Sequence, residues 1–114
     1  MIGVVFLNLK RAFELVDRDI LFKKMESYGI TGVVFSWFNS YLENRTQRVK
    51  FNGSLSEPIA VKLGVPQGSI LGPLLFLLYI NDLTRVVCRS CEIRLLADDA
   101  LIVYNRSHKP RIKR

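Results

Sequence analysis

From Met1 to Leu9 the chain is apolar at nearly every position, with Asn8 as the polar interruption. A short run rich in Val, Ile and Phe reads as a buried strand. The period then lengthens. Leu21, Met25 and Tyr28 follow the i, i+4, i+7 spacing of a helix, with Asp17 placed to cap its start and Gly29 just past its end. Thr31 is placed to cap a second helix, whose Val34, Trp37, Phe38 and Tyr41 mark one face and are expected in the core, not as a base-stacking platform. After the polar Glu43-Asn44-Arg45 the period drops to two. Gln47, Val49 and Phe51 alternate with Arg48 and Lys50, Asn52-Gly53 marks a turn, and Ile59, Val61 and Leu63 return. Pro58 puts the returning strand of this hairpin at an edge.

Gly64 to Pro73 is a punctuated loop, followed by an apolar helix from about Ser69 or Pro73 to about Asp82. Two short strands, Ile93 to Leu96 and Leu101 to Tyr104, flank Ala97-Asp98-Asp99-Ala100. The order β-α-α-ββ-α-ββ predicts an α+β fold, an antiparallel sheet with helices packed on one face. Internal repeats, low-complexity segments and interdomain linkers are absent from the sequence.

Composition narrows the class. A chain of 114 residues, 49% hydrophobic and 11% aromatic, fits one domain with a core and not intrinsic disorder. The longest apolar run, Ile70 to Ile80, has 11 residues and contains Gly72 and Pro73. A membrane span needs roughly 20, so no membrane is expected as a partner. The N-terminus lacks the pattern of a signal peptide, and two cysteines make no disulfide framework. A soluble, intracellular chain is expected, with Cys88 and Cys91 as reduced thiols, since a C-x-x-C with one histidine, His108, falls short of a structural zinc site.

The net charge of +7 is unevenly distributed. Arg106, Lys109, Arg111, Lys113 and Arg114 supply five of those charges, leaving +2 on Met1 to Tyr104. Residues 105–114 are expected to form a basic, disordered tail: phosphate-binding, simply solvated, or the frayed edge of a truncated reading frame. Arg45, Arg48 and Lys50 either meet a nucleic-acid backbone or form the solvent face of the hairpin.

Chemistry concentrates at two places. Asp98 and Asp99 are adjacent carboxylates between apolar strands; they repel each other, and a hard divalent cation such as Mg²⁺ or Mn²⁺ removes that penalty. Paired carboxylates of this kind clamp the oxygens in phosphoryl transfer, although Asp is also a common turn residue. In Gly64-Val65-Pro66-Gln67-Gly68-Ser69-Ile70-Leu71-Gly72-Pro73, three glycines and two prolines precede a helix N-terminus, where exposed N–H groups welcome anions. Gln67 offers both a donor and an acceptor. Alone, the segment is equally a strand-to-helix connection.

Taken together, these blocks resemble the reverse transcriptase of non-LTR (LINE-type) retrotransposons. Leu7-Asn8-Leu9-Lys10-Arg11-Ala12-Phe13-Glu14 is similar to that family's first motif, L-D-L-x-K-A-F-D. Gly64 to Phe76, continuing through Tyr79-Ile80-Asn81-Asp82-Leu83, resembles the second, and Leu96-Ala97-Asp98-Asp99 the third, F-A-D-D. Trp37-Phe38, Ser40-Tyr41-Leu42 and Asn44-Arg45-Thr46-Gln47 also follow the pattern.

The resemblance implies a polymerase palm-like fold over residues 1–104, with the first-motif strand beside the third-motif hairpin. It implies an RNA template, a DNA primer and a dNTP as partners, and two-metal attack of a primer 3′-hydroxyl on the α-phosphate. Asp98 and Asp99 are then catalytic metal ligands, Phe13 the aromatic gate against a 2′-hydroxyl, and Gln67 and Gly68 contacts to nucleotide and template. The family's first-motif aspartate is replaced by Asn8, whose neutral amide cannot bridge two Mg²⁺. Glu14 stands where the family has a further acid, so it does not replace the missing one. Incorporation is therefore expected to be lost or to fall by orders of magnitude. The chain is expected to be an incomplete palm without most of the fingers and without the thumb. A nonenzymatic nucleic-acid binder and an inert retroelement remnant are the alternatives.

Overall fold

The computed structural model describes residues 2–87 and 90–105. Strand β1 (Ile2–Asn8) is followed by helices α1 (Arg18–Ser27) and α2 (Gly32–Leu42). Four two-residue strands come next: β2 (Thr46–Gln47), β3 (Lys50–Phe51), β4 (Ser54–Leu55) and β5 (Ile59–Ala60). Helices α3 (Leu71–Ile80) and α4 (Leu83–Val86) precede strands β6 (Cys91–Leu96) and β7 (Asp99–Asn105). All strand pairs among the described residues are antiparallel, in one three-stranded sheet of order β1-β7-β6 and two small ladders, β2-β5 and β3-β4. The fold class is α+β.

Helices α1 and α2 start where the sequence places their signals, and α3 starts at Leu71, between the two expected starts. The Asp17 carboxylate accepts from the Ile20 N–H at 3.1 Å, capping α1, and Leu21 and Met25 one turn apart are fully buried. Thr31 takes the N-cap position of α2 without a side-chain bond. The Ser69 hydroxyl accepts from the Gly72 N–H and donates to the Pro66 carbonyl, closing the start of α3. Helix α4 was not expected from the pattern, because Leu83 to Val86 is too short to show a period.

The core joins α1, α3 and the end of α2. Leu21 and Met25 meet Leu42, Leu75, Phe76 and Ile80, with Val16 and Val65 supplied by the connecting segments. Each such side chain contributes roughly 1.5–3 kcal/mol by leaving water. Helix α2 turns Phe35 toward Phe22 of α1, ring centroids 5.6 Å apart, and this rotation moves Val34 and Trp37 outward. The expected stripe is thus split: Phe38 and Tyr41 pack against the core, whereas Val34 and Trp37 are exposed.

The sheet meets the helical core through Leu95, with Leu9 packing at the end of β1, and the helices pack mainly on one another. Strand β1, expected to be buried, is exposed along its whole length, Phe6 to 80%. It occupies the sheet's edge with β7 on one side, and no described layer covers it. With the hairpin also projecting, the radius of gyration is 18.3 Å, against about 13 Å for a compact 100-residue domain.

The 46–60 hairpin is two ladders and not one. Asn52 (φ 47°) and Gly53 (φ 79°) make the expected tight turn between β3 and β4. Ser56 then interrupts pairing, its hydroxyl accepting from the Val49 N–H and its own N–H donating to the Val49 carbonyl. Cys91 is disulfide-bonded, which corrects its reading as a reduced thiol. Cys88 and the basic run 106–114 lie outside the described residues. No described helix is long and apolar enough to cross a membrane.

Candidate functional site

Strands β6 and β7 are joined by Ala97 and Asp98 alone, since Leu96 pairs with Asp99. The turn is shorter than the four residues expected, because Asp99 and Ala100 already belong to β7. Ala97 closes it at φ 52°, a left-handed conformation that disfavours a Cβ and recurs at functional tips. Strand β1 lies along β7 with Asn8 opposite Asp99, and Leu9 N–H donates to the Asp98 carbonyl at 2.9 Å. The first- and third-motif segments are therefore neighbours. Asn8 Nδ2 donates to Asp99 Oδ1 at 2.8 Å. Asp98 is half-buried and Asp99 exposed. Leu96 is exposed beside them.

The second-motif loop is held against the segment after β1. Gly64 N–H donates to Val16 O and Val65 N–H to Phe13 O, each at 2.8 Å. Gly64 sits at φ +82°, where a Cβ would lie 2.7 Å from the Glu14 carbonyl oxygen; at Gly72 it would lie 2.4 Å from the Pro66 oxygen. Two of the three glycines therefore permit close backbone approach. Half of the expected row of N–H groups for an anion is taken up: those of Gly64, Val65, Ser69 and Gly72 have protein acceptors. Gln67 and Gly68 remain exposed. Phe13 is half-buried with its ring 4.8 Å from that of Phe76, which ties the first motif to α3.

Three of these residues line two separate recesses, and Phe13, Gly68 and Asp98 line neither of them. Asn8 and Asp99 line a recess of about 450 Å³ over the sheet, with Phe6, Arg94 and Leu96. Gln67 lines a larger cleft of about 620 Å³, with Arg11, Arg18, Arg45, Gln47 and Lys62, and the two recesses share no lining residue. Arg48 and Lys50 are exposed outside the cleft, so only Arg45 of that basic trio faces it.

Arg18 was not singled out by sequence reasoning, yet its guanidinium donates to the carbonyls of Leu42, Val61, Leu63 and Gly64. It thereby joins α2, the hairpin and the second-motif loop. Burial, and then the nearby Arg45, hold its pKa below the usual arginine value. One signal was legible: a cation at the first residue of a helix opposes the macrodipole, so it needs partners elsewhere.

The remaining polar residues of the second motif clamp helices. Lys24 Nζ donates to Asp82 Oδ1 at 2.7 Å and to the Tyr79 carbonyl, and lies 4.7 Å from the Tyr79 ring centroid. The Lys24 hydrogen bond draws the Asp82 carboxyl below its usual range, with the Lys24 charge adding to it. Asn81 donates to the Tyr28 hydroxyl.

Asp98 and Asp99 are hard oxygen donors of the kind Mg²⁺ or Mn²⁺ takes. Asp99 Oδ1, however, already accepts from the Asn8 amide, which brings no negative charge. Among the described residues no third His, Cys, Asp or Glu gathers with them to hold a metal. The side chains present do not fit a two-ion centre.

Residues 2–113 match the model of the reverse transcriptase (RNA-dependent DNA polymerase) family. The chain is 34% identical over 103 residues to a probable RNA-directed DNA polymerase from transposon X-element and 33% over 109 residues to one from transposon BS, both of Drosophila melanogaster. These matches cover 88% and 90% of the chain, and 11% and 12% of the relatives. It is also 27% identical over 115 residues to a retrovirus-related Pol polyprotein from the type-1 retrotransposable element R2 of Popillia japonica, covering 91% of the chain and 19% of that protein. The chain thus spans about a tenth to a fifth of the length of these relatives. With its motif blocks in family order and two of them paired in one sheet, the chain belongs to the reverse transcriptase family as a segment akin to those of non-LTR retrotransposons.

Proposed function

We propose that this chain is a palm-like segment of a non-LTR reverse transcriptase that retains the backbone platform for nucleotidyl transfer but does not perform it. The Asn8–Asp99 hydrogen bond carries this reading. In a two-metal polymerase, a carboxylate on the first-motif strand and one on the third-motif hairpin hold the ions that clamp the attacking and leaving oxygens. In this chain the strand and hairpin are in register, and an amide replaces one of the two anions. An amide is neutral, and its N–H occupies a lone pair of Asp99 Oδ1 that a cation would otherwise share. Asp98 and Asp99 are the remaining acidic positions; Phe13, Gln67 and Gly68 are the positions that would meet nucleotide and template in a complete polymerase.

The test is Mn²⁺ titration of the chain and of Asn8→Asp, followed by paramagnetic line broadening, together with primer extension on an RNA template. The expected result is weak Mn²⁺ binding by the parent, at least tenfold tighter binding by Asn8→Asp, and no extension by the parent. Mn²⁺-dependent extension by the parent, or equal Mn²⁺ affinity in the two proteins, overturns the proposal.

A further inference from the structure

We infer that the chain pairs with a second copy of itself through the open edge of β1, in antiparallel register about a two-fold axis at Val5. In an antiparallel ladder, residues alternate between those that bond their neighbour through N–H and C=O and those that do not. Leu9 N–H donates to the Asp98 carbonyl, and the β1–β7 register runs unbroken from Ile2 opposite Asn105 to Asn8 opposite Asp99. Gly3, Val5 and Leu7 therefore direct their backbone groups to β7, as Leu9 does. Ile2, Val4, Phe6 and Asn8 direct theirs away from it, and no other described strand pairs with β1. The edge thus presents donors and acceptors in regular alternation along the strand.

The side chains decide what fits that edge. Ile2 to Leu9 contains no charged residue and no proline, the devices that ordinarily keep an edge strand from pairing. Ile2 and Phe6 are exposed on one face of the strand, and Val5 and Leu7 on the other. A charged strand would bring its charges against these side chains with no counter-ion, whereas a second β1 brings the same uncharged surface. The register also closes on itself. With Val5 on the axis, Ile2 lies opposite Asn8 of the second copy and Val4 opposite its Phe6. Every outward-directed residue of β1 thereby meets an outward-directed residue, and the four pairs exchange about eight hydrogen bonds. Val4 against Phe6 is a β-branched–aromatic pair of the kind that stabilises neighbouring strands. Ile2 and Val4 of the second copy then stand beside Asn8 and Phe6, adding a wall to the recess that those two residues line.

The opposite edge of the sheet is not an equivalent partner. Strand β6 carries the exposed Glu92 and Arg94, and joining β1 to β6 would generate an open-ended filament in place of a closed pair. Pairing along β1 covers roughly 400 Å² on each copy, about half of a standard interface, so the dimer forms reversibly at micromolar concentration. The inference uses the backbone of Asn8 and not its amide, so it stands or falls separately from the metal-site reading.

The experiment is sedimentation velocity on the full chain from roughly 1 to 200 µM, where a reversible interface of this size populates both species. The expected result is a monomer–dimer equilibrium with a dissociation constant on the order of 10 µM. Val4→Pro removes an edge N–H that β7 does not use, and Val4→Lys adds a charge to the edge. Each should weaken the dimer about tenfold or more, with circular dichroism matching the parent. Cysteine substitutions then read the register. Val5→Cys places two thiols directly across the axis, with Cα atoms about 4.5 Å apart, whereas Val4→Cys leaves them beyond the roughly 7 Å that a disulfide can span. Val5→Cys should therefore cross-link under mild oxidation and Val4→Cys should not; the parent, whose Cys91 is already disulfide-bonded, is the control. Where a Val4 variant loses its fold, this cross-linking pattern decides. A chain that stays monomeric throughout overturns the inference, as does equal cross-linking of the two cysteine variants or growth beyond the dimer. So does a dimer that Val4→Lys leaves intact and that Val33→Lys, on the exposed side of α2, disrupts.

Discussion

Asn8 and Asp99 face each other across the β1–β7 ladder, and the amide donates to the carboxylate at 2.8 Å. Asn8 thus does by hydrogen bonding what a metal ion does between two carboxylates: it removes the repulsion at this pair. Replacing Asn8 by Asp restores the anion and deletes the donor, placing like charges directly opposite. Asn8→Asp should lower stability by about 1–2 kcal/mol without metal. Thermal melts with and without millimolar Mn²⁺ check this, the ion raising the midpoint of the variant and not that of the parent.

Arg18→Ala should be among the most damaging single changes. It strips charged donors from the carbonyls of Leu42, Val61, Leu63 and Gly64 together. The expected loss is about 3 kcal/mol by urea titration, with Arg18→Lys recovering less than half because an ammonium lacks the planar fork.

Stability should depend on the Asp82 carboxyl at acid pH. Its folded pKa is depressed, first by the Lys24 hydrogen bond. The contribution is therefore fully present above the usual carboxylate pKa of about 4 and is lost as pH falls through the lower folded value. Melting midpoints from pH 7 to pH 2 should fall less steeply below pH 4 in Asp82→Asn than in the parent.

The glycines of the second motif should not be equivalent. Gly64→Ala meets the Glu14 backbone and Gly72→Ala meets the Pro66 carbonyl, so each should cost about 3 kcal/mol or more. Gly68 has open space around it and only a positive φ to satisfy, so Gly68→Ala should cost about 1 kcal/mol. Urea midpoints of the three variants give the ranking.

Much of this architecture was legible in the residues. Asp17 and the Leu21–Met25 spacing located α1, Asn52-Gly53 located a turn, and the three motif blocks pointed to the pairing of β1 with β7. The extent of burial was less legible. Strand β1 is as apolar as an inner strand, yet it lies at an edge; composition states what a strand would bury and not whether a layer is present to bury it. Trp37 fits the apolar face of α2, but the packing of Phe35 on Phe22 sets the rotation that exposes it. Arg18 carries no motif, and its importance lies in four carbonyls from distant segments.

By itself the sequence determined the order and type of most elements, the family, and the loss of a carboxylate at position 8, because periodicity, capping and local motifs are encoded within a few residues. Only the tertiary structure decided that Asn8 bonds Asp99, that the motif glycines admit neighbouring backbone more than they cradle an anion, and that β1 pairs on one side only. Those outcomes depend on segments tens of residues apart meeting at a few ångströms, a distance that local pattern does not encode.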